Sequence, residues 1–189
     1  MSSNAFKSVI DIDVIGTFNT VKATMPHLLK SKTPRIIYVS ATFHYTGMPL
    51  QAHVSAAKAA VDSLMASVAL EYGPRGVTSN VIAPGGIDGT EGLARLGSSK
   101  NKEVEAYARA IPLGRPGTVR DVADATVFLF SDAGSYVNGQ VMAVDGAAWR
   151  RQGAMQVGTD VGMQYPDFLL ADKFSENLKD PRKEGKSKL

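Results

Sequence analysis

A helix-forming stretch lies between two short apolar runs, and this order constrains the fold more than any other feature. The runs over 35–41 and 77–83 are apolar and rich in β-branched residues, which is typical of strands in the middle of a sheet. Between them, apolar residues recur at helical spacing: Ala56, Ala60, Leu64 and Val68. They predict an amphipathic helix over about 51–72 that stops at Gly73-Pro74. Strand, helix and strand in this order predict a parallel βαβ unit.

The rest of the chain continues this alternation. A long amphipathic helix over 5–30, interrupted near Gly16, is predicted ahead of the first strand. Three residues can cap its first turn: Ser2, Ser3 and Asn4. A helix over about 119–131, capped by Thr118, and a last strand over 140–144 complete the pattern. The sequence therefore predicts an α/β fold with a mostly parallel sheet that helices cover on both faces.

Two segments are predicted to lie outside the packed layers. Residues 88–110 are polar and rich in glycine and serine, which is typical of a mobile flap. Beyond Trp149 the periodicity fades, and the tail contains one predicted short helix near 167–178 before a coil rich in lysine and glutamate. The chain thus divides into one α/β domain over 1–150 and an extension over 151–189.

Composition excludes several classes of site. The chain has no cysteine, so disulfides and thiolate metal sites are ruled out, and its three histidines, His27, His44 and His53, lack metal-ligand spacing. The formal charge of +3 does not predict a nucleic-acid partner, because much of the basic excess lies in the C-terminal tail. No apolar run reaches the ~20 residues of a membrane span, and no secretory signal opens the sequence. We therefore expect a soluble, intracellular type of chain.

Six motifs stand in a specific order along the chain: 4–7 (NAFK), 11–19 (DIDVIGTFN), 55–62 (SAAKAAVD), 80–85 (NVIAPG), 89–93 (GTEGL) and 144–149 (VDGAAW). In this order they resemble the C-terminal part of the short-chain dehydrogenase/reductase family, and within it the peroxisomal 2,4-dienoyl-CoA reductases. The resemblance runs from residue 2 to about 150. It implies a Rossmann-like, doubly wound parallel sheet that is truncated at the N-terminus. The first βαβ units, with the glycine-rich turn that cradles a dinucleotide pyrophosphate, are missing.

Two departures from the parent family indicate which reaction the site suits. The family places a tyrosine four residues before its lysine and a serine after the preceding strand, where this chain has Val54 and Ala41. Tyr38 and Tyr45 are near but off the pattern, and we interpret them as core or loop aromatics. A phenolic proton donor for a carbonyl is therefore absent from its usual place. The second departure is Asp13, which stands three residues before the glycine where the parent family has asparagine. The resemblance to the dienoyl-CoA reductases assigns Asp13 and Lys58 as the catalytic pair instead.

This replacement agrees with the chemistry of a conjugated thioester. When hydride adds to the far end of a 2,4-diene, negative charge builds on the thioester oxygen, and a proton must then reach the α-carbon. No alkoxide forms, so the site needs charge stabilisation and a held water rather than a phenol. By resemblance, Lys58 binds the nicotinamide ribose of NADPH and helps to hold that water, and Asp13 keeps Lys58 charged. Asp11 is interpreted as a surface or capping residue.

The resemblance also assigns the binding residues. The loop after the second strand is expected to hold the nicotinamide and phosphates of NADPH through Pro84, Gly85, Gly86, Ile87, Asp88, Gly89 and Thr90. Arg95 is expected to grip the acyl-CoA substrate, because a guanidinium suits a CoA phosphate. Ser2 and Asn4 match substrate-lining positions. Asp145-Gly146 is expected to be structural.

The resemblance finally predicts location and partners. Ser187, Lys188 and Leu189 form a terminal S-K-L, which the peroxisomal import receptor reads as an address to the peroxisome matrix. The family also implies a homo-oligomer that packs through the helices over 5–30 and 51–72. Two alternatives stay open. The chain could be a non-catalytic fragment or isoform that lacks the nucleotide-binding half, or another peroxisomal short-chain reductase.

Overall fold

A parallel three-stranded sheet forms the centre of the computed structural model, which describes residues 1–48, 50–91 and 107–151. The strands are β1 (Arg35–Val39), β2 (Thr78–Pro84) and β3 (Val141–Val144), in the order β1-β2-β3. Both pairs are parallel, with Ile37 beside Asn80 and Ala83 beside Ala143. The predicted α/β fold with a parallel sheet is confirmed. The flap residues 92–106 and the tail helix near 167–178 lie outside the described residues.

The first helical segment is one continuous path with a change of pitch in its middle. It comprises α1 (Ser3–Val9), a π-helical turn (Ile10–Ile15) and α2 (Gly16–Leu28). Ser2 is the cap, since its side chain accepts a hydrogen bond from the Ala5 amide at 3.2 Å. The predicted interruption near Gly16 is thus a π turn, in which the Gly16 amide reaches back to the carbonyl of Asp11.

Two further helices follow at the predicted places. A 3₁₀ turn (Thr42–Tyr45) follows β1, and α3 (Ala52–Tyr72) then runs to a second 3₁₀ turn (Gly73–Arg75), where Gly76 has a left-handed φ of 83°. Helix α4 (Val119–Phe130) starts at Thr118, which forms a capping box with Asp121. A short 3₁₀ turn (Ala148–Arg151) follows β3.

Helices α2 and α3 pack on one face of the sheet and form the main core. Its buried members include Val21, Met25, Tyr38, Val61, Met65, Val68, Val77 and Val81. Ile82 lies between Val81 and Ala83 on β2 and so points to the other face of the sheet. Leu129 of α4 is 1% exposed, and α4 contacts all three strands. The expectation of helices on both faces agrees with this arrangement.

The buried face of α3 is turned by about one residue from the predicted one at its start, whereas Val68 is buried as predicted and Leu64 packs against the core. The most buried positions are Ala57, Val61, Met65 and Val68, whereas Ala56 is exposed. The stretch is apolar nearly all the way round, so residue spacing alone does not determine which side faces the sheet. Tertiary packing decides it.

Two asparagine side chains fix the register between β2 and β3. Asn80 is 1% exposed, donates to the Val137 carbonyl at 2.8 Å and accepts from the Gln140 amide at 3.0 Å. Asn138 accepts from the Ser79 amide at 2.8 Å. These contacts pair the chain just before β3 with the middle of β2.

Among the described strands β1 lies at an edge, although its sequence is typical of a central strand. Val39 is 59% exposed, and a groove of about 450 Å³ between β1 and the first helical segment is lined by Ile12, Gly16 and Ile37 among others. Within the described residues, no helix is long and apolar enough to cross a membrane.

Candidate active site

Lys58 and Asp13 meet at the carboxyl end of β1. The Lys58 Nζ lies 3.1 Å from Asp13 Oδ1 and 3.0 Å from Oδ2, and it donates to the Val39 carbonyl at 3.3 Å. The two side chains are 19% and 29% exposed, so the pair is partly shielded yet open to a ligand. The ammonium has three donors, and this arrangement places two kinds of acceptor around it.

The π turn places Asp13 where it can reach Lys58. A π turn shifts the side chains that follow it relative to a regular α-helix, and such turns are frequent at functional sites. Asp13 belongs to this turn, and its carbonyl accepts a hydrogen bond from Thr17 Oγ1. Asp11, in the same turn, is exposed, as its surface interpretation predicts.

Neither nearby tyrosine supplies the missing phenol. Tyr38 is 5% exposed in the core, and the Tyr45 hydroxyl donates to Asp62 rather than to Lys58 or Asp13. Both agree with their interpretation as core and loop aromatics. The Lys58–Asp13 pair therefore stands at the end of β1 without a tyrosine in the family's usual position, which Val54 occupies.

The predicted cofactor loop leaves β2 at its carboxyl end, the edge where open α/β sheets bind ligands. Gly85 continues the pairing with β3 through a 3.1 Å bond to the Val144 carbonyl. The Gly86 carbonyl accepts from the Gly117 amide at 3.0 Å, and the Asp88 amide donates to the Gly117 carbonyl at 2.8 Å. Neither hydrogen bond of this bridge uses the amide of Ile87.

Two positions in this loop require glycine, because a side chain there would collide with a neighbouring residue. A Cβ at Gly85 would lie 2.6 Å from the Asp145 Cβ, and one at Gly86 would overlap the Tyr107 hydroxyl. Burial raises the pKa of the Tyr107 phenol, a hydrogen bond from the Gly86 backbone opposes that rise, and the Asp145 charge adds to it. Sequence reasoning missed Tyr107, because no spacing links it to the loop.

Asp145 has the structural role predicted for it. Its carboxylate accepts hydrogen bonds from the Ala147 and Trp149 amides, each at 2.9 Å, and so shapes the turn after β3.

The other predicted binding residues have different surroundings. Thr90, predicted to reach phosphates, donates a hydrogen bond from its hydroxyl to the Ile87 carbonyl at 2.7 Å. Ser2 and Asn4 lie exposed at the start of α1, and no described contact joins either side chain to Lys58 or Asp13. Arg95, Ser187, Lys188 and Leu189 lie outside the described residues.

The arrangement fits a nicotinamide dinucleotide. Lys58 offers a cation beside the end of β1, the loop from Pro84 to Thr90 leaves the neighbouring strand, and glycines let its backbone approach closely. A lysine and a glycine-rich loop at the carboxyl ends of neighbouring parallel strands are typical of the ligand-binding edge of a Rossmann-type sheet. No group of acidic or histidine residues that could hold a metal occurs in the described part of the chain.

Family comparison agrees with this class. The family model described as Enoyl-(Acyl carrier protein) reductase matches residues 1–147. The chain therefore belongs to the short-chain dehydrogenase/reductase family.

Its curated relatives are more specific. The peroxisomal 2,4-dienoyl-CoA reductase [(3E)-enoyl-CoA-producing] of Saccharomyces cerevisiae is 52% identical over 177 residues, which is 93% of this chain and 58% of that protein. The enzyme of the same name from Danio rerio is 46% identical over 149 residues, covering 79% of this chain and 49% of its own length. The chain thus spans about half the length of the curated relatives that it matches.

Solved structures share the fold. A short-chain type dehydrogenase/reductase from Mycobacterium ulcerans has a TM-score of 0.73 at 33% identity, over 79% of this chain and 54% of that chain. Gluconate 5-dehydrogenase from Burkholderia cenocepacia, in complex with NADP and tartrate, has a TM-score of 0.72 at 26% identity, over 78% of this chain and 57% of that one.

Proposed function

We propose that this chain carries the reducing site of an NADPH-dependent 2,4-dienoyl-CoA reductase. The observation that carries the proposal is the Lys58–Asp13 pair, at 3.0 Å, beside a position where Val54 replaces the family's tyrosine. An ammonium held by a carboxylate stabilises a developing oxyanion without donating a phenolic proton. The relatives named 2,4-dienoyl-CoA reductases support the same substrate class.

The chain's own residues have three roles in this mechanism. Lys58 binds the nicotinamide ribose and, with Asp13, orients the water that protonates the α-carbon. The Ile87 amide, which the bridge to Gly117 does not use, orients the nicotinamide carboxamide. NADPH, when bound, supplies the hydride. The diene gains that hydride at its far end and a proton at the α-carbon, which gives a 3-enoyl-CoA.

Arg95, Ser2 and Asn4 complete the proposal as acyl-CoA contacts. A guanidinium at Arg95 would pair with a CoA phosphate in a bidentate manner. Ser2 and Asn4 lie at the start of the helical segment whose π turn carries Asp13.

The terminal Ser187-Lys188-Leu189 supports import into the peroxisome matrix by the receptor that reads this address. The relatives from yeast and zebrafish are named peroxisomal, which agrees with it. A fluorescent fusion that keeps this C-terminus should co-localise with peroxisomes, and deletion of the three residues should leave it diffuse. Diffuse signal from both fusions would refute the address.

Exposed apolar residues support self-association. Ile12 is 76% exposed, Phe18 48% and Leu70 80%, and all three lie on the helical segments that the family is expected to use between subunits. Such residues form interfaces in oligomers. Sedimentation should therefore detect a species larger than one chain, and Leu70→Glu should reduce it.

The proposed activity is tested first by NADPH binding. Fluorescence titration of the chain should show saturable binding that Lys58→Ala weakens at least tenfold, whereas Lys22→Ala, an exposed lysine on α2, should not change it. The chain with NADPH bound should then convert a 2,4-dienoyl-CoA to the 3-enoyl-CoA product. A folded chain that binds no NADPH would contradict the proposal and favour the non-catalytic alternative.

A further inference from the structure

A hydrogen-bonded cluster of His44, Tyr45 and Asp62 lies next to the Lys58–Asp13 pair. One oxygen of Asp62, Oδ2, lies 2.9 Å from His44 Nε2 and accepts from the Tyr45 hydroxyl at 2.8 Å. The His44 and Asp62 side chains are only 6% and 14% exposed. Neither the motif order nor residue spacing indicated this cluster.

The cluster connects the same two elements that Lys58 connects. Asp62 follows Lys58 by one helical turn on α3, so both side chains leave one face of that helix. His44 and Tyr45 belong to the 3₁₀ turn just after β1, and β1 ends at Val39, whose carbonyl accepts from Lys58. Helix α3 is therefore joined to the end of β1 at two points, one of which is the active lysine.

Further contacts hold the turn from its other side. His44 Nδ1 meets the carbonyl of Ala41, and its ring lies 3.9 Å from the Tyr45 ring. The Tyr45 ring lies 5.3 Å from that of Trp149. The Trp149 amide is in turn held by Asp145 at the end of β3. The turn is thus fixed against α3 and against the segment after β3.

The second carboxylate oxygen of Asp62 indicates that stability alone does not explain the cluster. Oδ1 is buried, and no described residue donates a hydrogen bond to it. A buried carboxylate oxygen without a partner costs free energy, so this aspartate is not explained as an optimised stabilising contact. Burial, together with the bond to Asp62 and its charge, raises the pKa of Tyr45, so its hydroxyl remains a donor.

We propose that Asp62, through His44 and Tyr45, is a positioning residue for Lys58. It holds the turn after β1 at a fixed distance from α3, so that Lys58 reaches the Val39 carbonyl and Asp13 together. Asp62 does not touch the reacting atoms. The proposal rests on the proposed function only in the role that it gives to Lys58.

The test uses the full chain and the variants Asp62→Asn and Tyr45→Phe, with Asp124→Asn as the matched control. Asp124 also forms an ion pair, with Arg120, but on α4 and exposed. The first readout is the NMR signal of the Lys58 side chain without cofactor, assigned by its loss in Lys58→Arg. We expect Asp62→Asn, and to a lesser degree Tyr45→Phe, to shift or broaden that signal, and Asp124→Asn to leave it unchanged.

The second readout is NADPH affinity in a double-mutant cycle. Asp62→Asn should weaken binding by about tenfold, and adding it to Lys58→Ala should cause no further loss, because the two changes act through one group. An unchanged Lys58 NMR signal in both Asp62→Asn and Tyr45→Phe would overturn the proposal. Losses of NADPH affinity that add when Asp62→Asn is combined with Lys58→Ala would also overturn it. Absence of NADPH binding by the unaltered chain would refute the proposed function, while the NMR signal would still decide the role of Asp62. If Asp62→Asn does not fold, Tyr45→Phe decides it alone.

Discussion

The variant Asp13→Asn tests whether the Asp13 carboxylate acts in catalysis or only forms an ion pair with Lys58. The change removes the negative charge beside Lys58 but keeps the size of the side chain. Lys58 retains its bond to the Val39 carbonyl at 3.3 Å, so we expect the ammonium to stay near its place. The matched control is Asp11→Asn, since Asp11 is exposed in the same π turn.

The expected magnitudes differ for stability and for turnover. Asp13 and Lys58 are 29% and 19% exposed, so water screens the pair and its loss should cost only about 1 kcal/mol of unfolding free energy. Positioned acid–base groups typically contribute about 10²–10⁴ to rate. Turnover should therefore fall at least about a hundredfold, which corresponds to about 2.7 kcal/mol of activation free energy.

The assay follows NADPH oxidation with a 2,4-dienoyl-CoA, beside urea unfolding of the same preparations. Asp13→Asn should lose turnover with little change in unfolding, and Asp11→Asn should change neither. If the loss of unfolding free energy explains the whole loss of turnover in Asp13→Asn, the catalytic role of Asp13 is refuted. Equal losses of turnover in Asp13→Asn and Asp11→Asn would also refute it.

Three further predictions concern stability. Gly85→Ala should destabilise the fold by about 1–3 kcal/mol in urea unfolding, because its Cβ would lie 2.6 Å from that of Asp145; an unchanged midpoint would contradict this packing. Hydrogen bonds from Arg115 hold the pKa of Asp121 well below its ordinary value, so its stabilising contribution is present above about pH 4 and is lost as the pH falls further. Unfolding below pH 4 should thus be less steep in pH for Asp121→Asn, and identical slopes would count against it. Asn80→Ala should cost about 1–3 kcal/mol in thermal or urea unfolding, because it removes a buried amide and leaves the Val137 carbonyl and the Gln140 amide without their partner, and a neutral effect would argue against that network.

Capping residues, helix-terminating residues and apolar runs predicted where the helices and strands lie. Gly73-Pro74 marks the end of α3, Thr118 caps α4, and the apolar runs become β1 and β2, because each signal acts within a few residues. The buried side of α3 was placed one residue away, at Ala56 rather than Ala57, because an alanine-rich helix carries little periodic contrast. Nothing in the residue spacing indicated that the interruption near Gly16 is a π turn.

Residue types and motif order were enough to predict the α/β class, the family and, through the resemblance, the pairing of Asp13 with Lys58. Other contacts near the carboxyl ends of the strands could not be predicted this way. Asp62 and His44 are eighteen positions apart, and Gly86 and Tyr107 lie twenty-one apart, so no local pattern joins them. They meet because parallel strands bring their carboxyl ends to one edge of the sheet, where the chain's turns and helices converge.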